Sequence, residues 1–543
     1  MGHVDVGVYV VLAGREAEQV SRWASQLNQE PSEACAALRA AVEVESVETL
    51  QGVVARHLWT LRDQCFEELT DAIQRVPGRE LDDAPLLKLL HPMTPVIAAS
   101  SAPFDTNTLA SVDAPSAVAR DTLVALQTIA AQWSGDMRAS ATHAEELRRR
   151  IYEESVPERA QRGSNLWFLH YCLASTLVLT GDTAAGAREL ATSRVVARKS
   201  GSTQGERSSL ARLALVDVLR GSVREAGAAL RAARELAPYE GAYTLEGAGT
   251  EAVAEVLIAL ERGEAVDLRQ LDAVEPTAFT WPFFTLARAR CALLGGQPAQ
   301  AVEAVRATVA AHRVQDGTLA ADILAAIYID AFLGLGNERA AARAGLVVRE
   351  PGPTAKTAHA RLALARGDVD AAARLIEELS GEAWACPARE HEITCLLAWE
   401  SAARGAVGAG VARRFAALAD TPTARRILAS TPAWVVQAVA QALPALARDD
   451  FEARITGLVF AEIGRSTVHL TASEQRVFDA LSQHERVADL ASALFLSPNT
   501  IKTHLSSLYR KLGVSSRREA IAARRTLVRE EIGADLAEPR RAG

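Results

Sequence analysis

SPNTIKTHLSSLYRKLG, residues 497–513, carries its own start and stop signals. Ser497 suits a helix N-cap, and Pro498 suits the first helical position, where no N–H is needed. Gly513 closes the run at a place that favours a left-handed residue. At about 100° per residue, Ile501, Leu505, Leu508 and Leu512 fall on one face. Asn499, Lys502, Thr503, Ser506 and Arg510 fall on the opposite one. A helix with one greasy face and one face of amide, hydroxyl and cationic groups suits a major groove of DNA.

Working outward, Thr471–Glu474 (TASE) reads as a capping box that opens an earlier helix, with Val477, Phe478 and Leu481 as its apolar positions. Val487, Leu490, Ala491 and Leu494 recur at i, i+3, i+4, i+7, which predicts a short amphipathic helix. Only Phe495 and Leu496 separate it from Ser497. Two helices joined so tightly must cross sharply, as in a helix-turn-helix. Ser516–Glu519 (SRRE) is a second capping box, opening a fourth helix with Ile521, Leu527 and Val528.

The segment Leu470–Val528 resembles the LuxR/GerE-type helix-turn-helix domain of bacterial transcription factors. The resemblance rests on Leu470-Thr471 with Glu474, on Ser497, Thr500-Ile501-Lys502 and His504, and on Lys511-Leu512-Gly513-Val514 with Arg517. Ser473 stands where the family often has Arg, no Gly occurs between Leu481 and Val487, and Ser506 stands where a basic residue is frequent. The resemblance implies double-stranded promoter or operator DNA as the partner. The candidate DNA-binding residues are Ser497, Asn499, Thr500, Lys502, Thr503, Ser506, Arg510, Lys511 and Arg517. Lys502 and Thr503 lie where family members reach base edges. Arg510, Lys511 and Arg517 lie where phosphate contacts are expected. A homodimer on paired half-sites follows from the few bases such a motif reads, with the fourth helix as candidate dimer contact.

Charge agrees. From Ser497 to Arg529 there are eight Lys/Arg and one acid, Glu519, a local balance of +7, on a chain of net charge −8. A basic island on an acidic protein is the footprint of a nucleic-acid surface.

The rest of the 543 residues is alanine-rich, with 5% aromatic residues, which favours packed helices over sheet. Residues 30–90 read as helices, notably Cys35–Val44, Thr49–Trp59 and Cys65–Arg75, and His91–Ser116 reads as a linker or long loop. From there to about Asp450 short turns recur at Gly135, Gly181, Gly221, Gly263, Gly296, Gly336, Gly367 and Gly405. Their spacings are 46, 40, 42, 33, 40, 31 and 38 residues, and each turn lies between two apolar helices. Five residues past each glycine stand Ser140, Gly186, Ala226, Ala301, Ala341, Ala372 and Gly410, with Leu268 alone breaking the series. Small residues there let paired helices approach closely. Period and unit resemble degenerate tetratricopeptide repeats, a solenoid whose inner face binds a small-molecule or protein effector. A plain helical bundle without a binding face is the alternative. Repeats followed by a LuxR-type domain resemble the large MalT-like regulators, which carry an N-terminal ATPase.

Here no Gly-Lys dipeptide occurs, so a P-loop is excluded. His391-Glu392 begins a zinc-protease motif that fails at Cys395, and no G-x-S-x-G elbow occurs. No catalytic residue, cofactor or metal is expected. The six cysteines (35, 65, 172, 291, 386 and 395) include no CxxC pair and read as reduced thiols of a cytoplasmic protein. Val4–Ala13 is too short to span a membrane.

The expected fold is all-α. It comprises a helical region and linker (1–116), a tetratricopeptide-like repeat domain (117–465), a four-helix LuxR-type domain (466–530) and a tail (531–543). The expected function is sequence-specific transcription regulation, and the alternative is an interaction scaffold tethered non-specifically to nucleic acid.

Overall fold

Glycine turns punctuate the chain for a physical reason. All eight turn glycines read from the sequence, Gly135 through Gly405, have positive φ, between 67° and 103°. A left-handed residue lets the next N–H turn back to a free carbonyl of the helix just ended. Asp136 N–H reaches the Ala131 carbonyl at 2.8 Å, Asn337 the Phe332 carbonyl at 2.8 Å, and Asp368 the Ala363 carbonyl at 2.9 Å. The same side chains open the following helix. Asp136 Oδ1 accepts from Ala139 N at 3.1 Å, Asp182 from Ala185 N at 2.8 Å, Asn337 from Ala340 N at 3.0 Å and Asp368 from Ala371 N at 3.0 Å. At Gly135, Gly336 and Gly367 one dipeptide ends one helix and caps the next.

A computed structural model describes residues 31–91, 117–153, 166–239, 243–345, 348–381, 385–421, 424–461, 463, 472–481, 484, 486–494, 496–512, 517 and 520–521. The run 4–13, linker residues 92–116, Thr471, Gly513, the second capping box apart from Arg517, and Leu527, Val528 and the tail lie outside them. The fold is all-α. Among the described residues there is no strand, only an isolated bridge between Pro432 and Ala461. No described helix is long and apolar enough to cross a membrane.

The chain forms two compact units. One contains residues up to Arg288 with Arg306–Ile323 and Cys386–Ala388; the other contains Ala289–Val305, Leu324–Ala385 and Arg389 onward. In the first, successive helices alternate in character. Leu166–Leu179 (LWFLHYCLASTLVL) buries nearly every side chain, whereas Thr183–Lys199 buries one stripe, Gly186, Leu190, Ser193 and Ala197. Thr203–Arg220 is again buried nearly all round, and Val223–Glu235 again amphipathic. A helix apolar on every side needs neighbours on every side. Ala117–Trp133 packs on Leu166–Leu179, and Thr203–Arg220 on Tyr243–Arg262, so the enclosed helices also touch one another across the intervening one. The small residues after the turns serve the close approach. A Cβ on Gly186 would stand 2.5 Å from Val178 Cγ2 and 3.2 Å from the Ala174 carbonyl oxygen. Ser140, Ala226, Ala301, Ala341 and Ala372 are fully buried.

Two turns differ, with visible causes. Gly410 is exposed: the next helix, Ala409–Ala417, starts later after its glycine than its counterparts do, and Ala412 takes the buried place. After Gly263 comes only the short helix Arg269–Asp272, so Leu268 has no partner helix to approach and Leu271 supplies the apolar contact.

The cysteine reading is corrected at one pair. Helices Pro31–Glu43, Val47–Gln64 and Phe66–Gln74 form as expected, but Cys35 and Cys65 are joined in a disulfide, Cα–Cα 6.2 Å. Cysteine spacing could not show this, because the contact depends on how the 47–64 helix folds back on the first. Cys172, Cys291, Cys386 and Cys395 are free.

Candidate nucleic-acid interface

Among the described residues, three helices with their expected apolar faces build the C-terminal domain: Ala472–Ala480, Val487–Leu494 and Pro498–Leu512. Each packs on the other two. Val477, Phe478, Leu481, Leu490, Ala491, Ile501, Leu505 and Leu508 bury together with Ala520, and Val487, Leu494, Leu496, Tyr509 and Ile521 close the edges. Burial pushes the Tyr509 hydroxyl pKa up, with Arg517 opposing.

The crossing between the second and third helices is set by backbone and side-chain polar groups. Leu496 N–H returns to the Ala491 carbonyl at 2.9 Å, ending the second helix. Ser497 Oγ accepts from Thr500 N at 3.1 Å and lies 2.8 Å from Thr500 Oγ1, while Ile501 N–H reaches the Ser497 carbonyl at 3.0 Å. This is the expected cap, and the Thr500 hydroxyl is drawn into it. Ser497→Ala should therefore cost about 1 kcal/mol of local stability. Faster hydrogen exchange at residues 499–501 of the full chain, with the 472–480 helix unaffected, is the expected readout.

With Ile501, Leu505 and Leu508 buried, the opposite face is left to solvent. Asn499, Lys502, Thr503 and Ser506 are exposed along it, Ser497 is exposed at its start and Thr500 half-exposed beside it. The helix holds Lys502, Arg510 and Lys511 and no acid. Arg510 and Lys511 lie in its final turn; their side chains fall outside the described part. Thr503 Oγ1 donates to the Asn499 carbonyl at 3.0 Å. That fixes its hydroxyl proton on the helix and leaves its methyl and lone pairs for a partner.

Arg517 also has backbone partners. Its Nη2 donates to the Leu481 carbonyl at 2.7 Å and to the His484 carbonyl. The last carbonyls of a helix have no intrahelical partner, and a guanidinium satisfies them. Arg476 does the same for the second helix, donating to the Leu494 carbonyl at 3.5 Å. Charge alone could not separate these two arginines from solvent-facing ones.

A short helix, a sharp capped turn and a second helix with an exposed polar, acid-free face define a helix-turn-helix domain. Residues 468–523 match the bacterial regulatory proteins of the luxR family. Spore germination protein GerE of Bacillus subtilis is 40% identical over 52 residues, 10% of this chain and 70% of that protein. Probable transcriptional regulatory protein NarL of Mycobacterium tuberculosis is 40% identical over 53 residues, 10% of this chain and 24% of that protein. The chain belongs to the luxR family through this domain, a DNA-binding domain of transcriptional regulators. It spans about a quarter of the length of the NarL relatives that it matches. No solved structure matches it.

Proposed function

We propose that the chain is a sequence-specific transcription regulator acting in the cytoplasm, with helix Pro498–Leu512 laid in the major groove of promoter DNA. The observation that carries this is the division of that helix. Ile501, Leu505 and Leu508 are locked in the core, so Asn499, Lys502, Thr503 and Ser506 are held facing outward. Lys502 is placed to reach a guanine edge, and the Thr503 methyl to meet a thymine methyl. Arg510 and Lys511 are assigned to phosphates, and Arg517 to holding the domain together as well as to charge. Two copies bind paired half-sites. The glycine-punctuated helices are a tetratricopeptide-like array, as in a MalT-like regulator, and receive a small-molecule or protein effector.

Titrating variants of the full chain against cognate and scrambled duplexes at two salt concentrations tests the reading. Lys502→Ala should lose about 1–3 kcal/mol on the cognate duplex alone. Arg510→Ala should weaken both duplexes alike and lower the salt slope by about one unit. Equal losses for both variants on both duplexes would favour the alternative, a scaffold tethered non-specifically. One observation leans that way: Ser506 is uncharged, and the Thr503 proton is engaged within the helix.

A further inference from the structure

The six cysteines are not equivalent. Cys172 and Cys395 are enclosed among helices, and burial pushes both thiols up, that of Cys395 to about 12. Neither is bonded to another cysteine. Cys291 and Cys386 are half-buried and unbonded. Only Cys35 and Cys65 are bonded to each other; both are buried, 8% and 6% exposed.

Their bond ties the first described helix, Pro31–Glu43, to the junction between Val47–Gln64 and Phe66–Gln74. The bond is not what brings the two together. Arg39 Nε and Nη2 donate to Glu68 Oε2 and Oε1, each at 2.9 Å, across the same seam. Ala34, Leu38, Leu61 and Leu69 bury beside it. With the bond open, these contacts keep the thiols near each other, so the bond can re-form.

We propose that Cys35 and Cys65 form an oxidation site through which thiol oxidants, hydroperoxides in particular, act on the chain. The inference rests on the DNA-binding reading in one respect. A protein that reads chromosomal DNA works among thiol reductants, where the disulfides that do occur are transient and catalytic or redox-sensing. One thiolate attacks a peroxide oxygen, forming a sulfenic acid as the O–O bond breaks and an alcohol or water leaves. The second thiolate attacks that sulfur, the S–S bond forms, and the expelled hydroxide takes a proton to become water. Two electrons pass from the thiols to the peroxide. A small dithiol reverses the change by two exchanges through a mixed disulfide.

The test uses the full chain with hydrogen peroxide as oxidant and dithiothreitol as reductant, free thiols being counted by alkylation and mass measurement. Peroxide should remove two alkylatable thiols, at 35 and 65, and dithiothreitol should return them. Cys35→Ala and Cys65→Ala should each abolish the paired loss. In glutathione buffers the pair should pass from dithiol to disulfide as the buffer is made more oxidising. Tryptic cleavage within residues 31–46 should be faster in the dithiol form. A bond that survives the most reducing buffer is a structural staple, and the proposal falls. A bond that never forms sinks it equally. A pair that cycles without changing cleavage refutes its action on the chain. A pair that cycles and alters cleavage, in a chain that binds DNA in neither form, removes the DNA-binding reading and leaves the oxidation site standing.

Discussion

Leu508→Ala should abolish DNA binding by unfolding the helix-turn-helix domain, although Leu508 faces away from the proposed groove. Its side chain is fully enclosed, with Val477, Phe478, Leu490 and Ile501 in the same core. Replacing a buried leucine by alanine removes apolar surface and leaves a cavity, at a cost of about 2–5 kcal/mol. A single core of this size rarely supplies more than ~3–5 kcal/mol. The loss therefore takes most of the domain's stability. Amide exchange across 472–480 and 498–512 in the full chain should accelerate by about two orders of magnitude or more, while the helices before residue 462 keep their protection. Ser506→Ala, on the opposite face of the same helix, should leave exchange unchanged. Equal protection in the two variants would mean that the Ile501–Leu505–Leu508 face is not what holds the helix.

What could be read in the sequence was local. The Ser497 cap, the apolar spacing of 501, 505 and 508, and the turn glycines each depend on residues within one or two turns, and each forms as expected. Where the reading fell short, contact between distant segments decides. Arg517 finds carbonyls more than thirty residues earlier, and Cys35 meets a cysteine thirty residues later. Gly410 fell out of register because two extra loop residues are invisible to a fixed offset. The offset held a further signal that went unread. Six residues before Gly296, Gly336, Gly367 and Gly405 stand Arg290, Asp330, Arg361 and Trp399. In a stack of repeats, equal positions become neighbours. Arg361 Nη1 donates to Asp330 Oδ2 at 2.7 Å, so two of these four positions do meet in the second unit's interior.

That interior gives the other large expected effect, at Glu392. Its carboxylate is nine-tenths buried in helix Pro387–Ala403 and lies among cations. Arg389 Nη1 donates to Oε2 at 2.6 Å, and Arg361 Nη2 stands 3.8 Å from Oε1. Thr357 Oγ1 donates to Oε2 at 3.4 Å, and Arg389 Nη1 also reaches the Pro353 carbonyl at 2.8 Å. Burial pushes the carboxyl pKa up; Arg389, Arg361, Arg426 and Arg290 together pull it down, and the net shift is downward. Arg361, opposed by the same burial, is held above its ordinary value chiefly by Asp330 and Glu392. Glu392→Gln keeps the shape and takes the charge away, leaving Arg389 enclosed without a counter-charge and Arg361 with Asp330 alone. Breaking one side of a buried pair costs about 3–5 kcal/mol. Exchange in Pro353–Ala365 and Pro387–Ala403 should speed up by about two to three orders of magnitude. The wild-type chain should show the same weakness in acid. Because the folded carboxyl titrates below its ordinary 4.5, its contribution is complete above that value and is lost as pH falls through the lower folded value. Glu145→Gln is the control: Glu145 pairs with Arg148 at 2.6 Å, both largely exposed, and exchange should not move. If Glu392→Gln protects those two helices as well as the wild type does at neutral pH, water reaches the cluster, and the ion pairs do not hold these helices together.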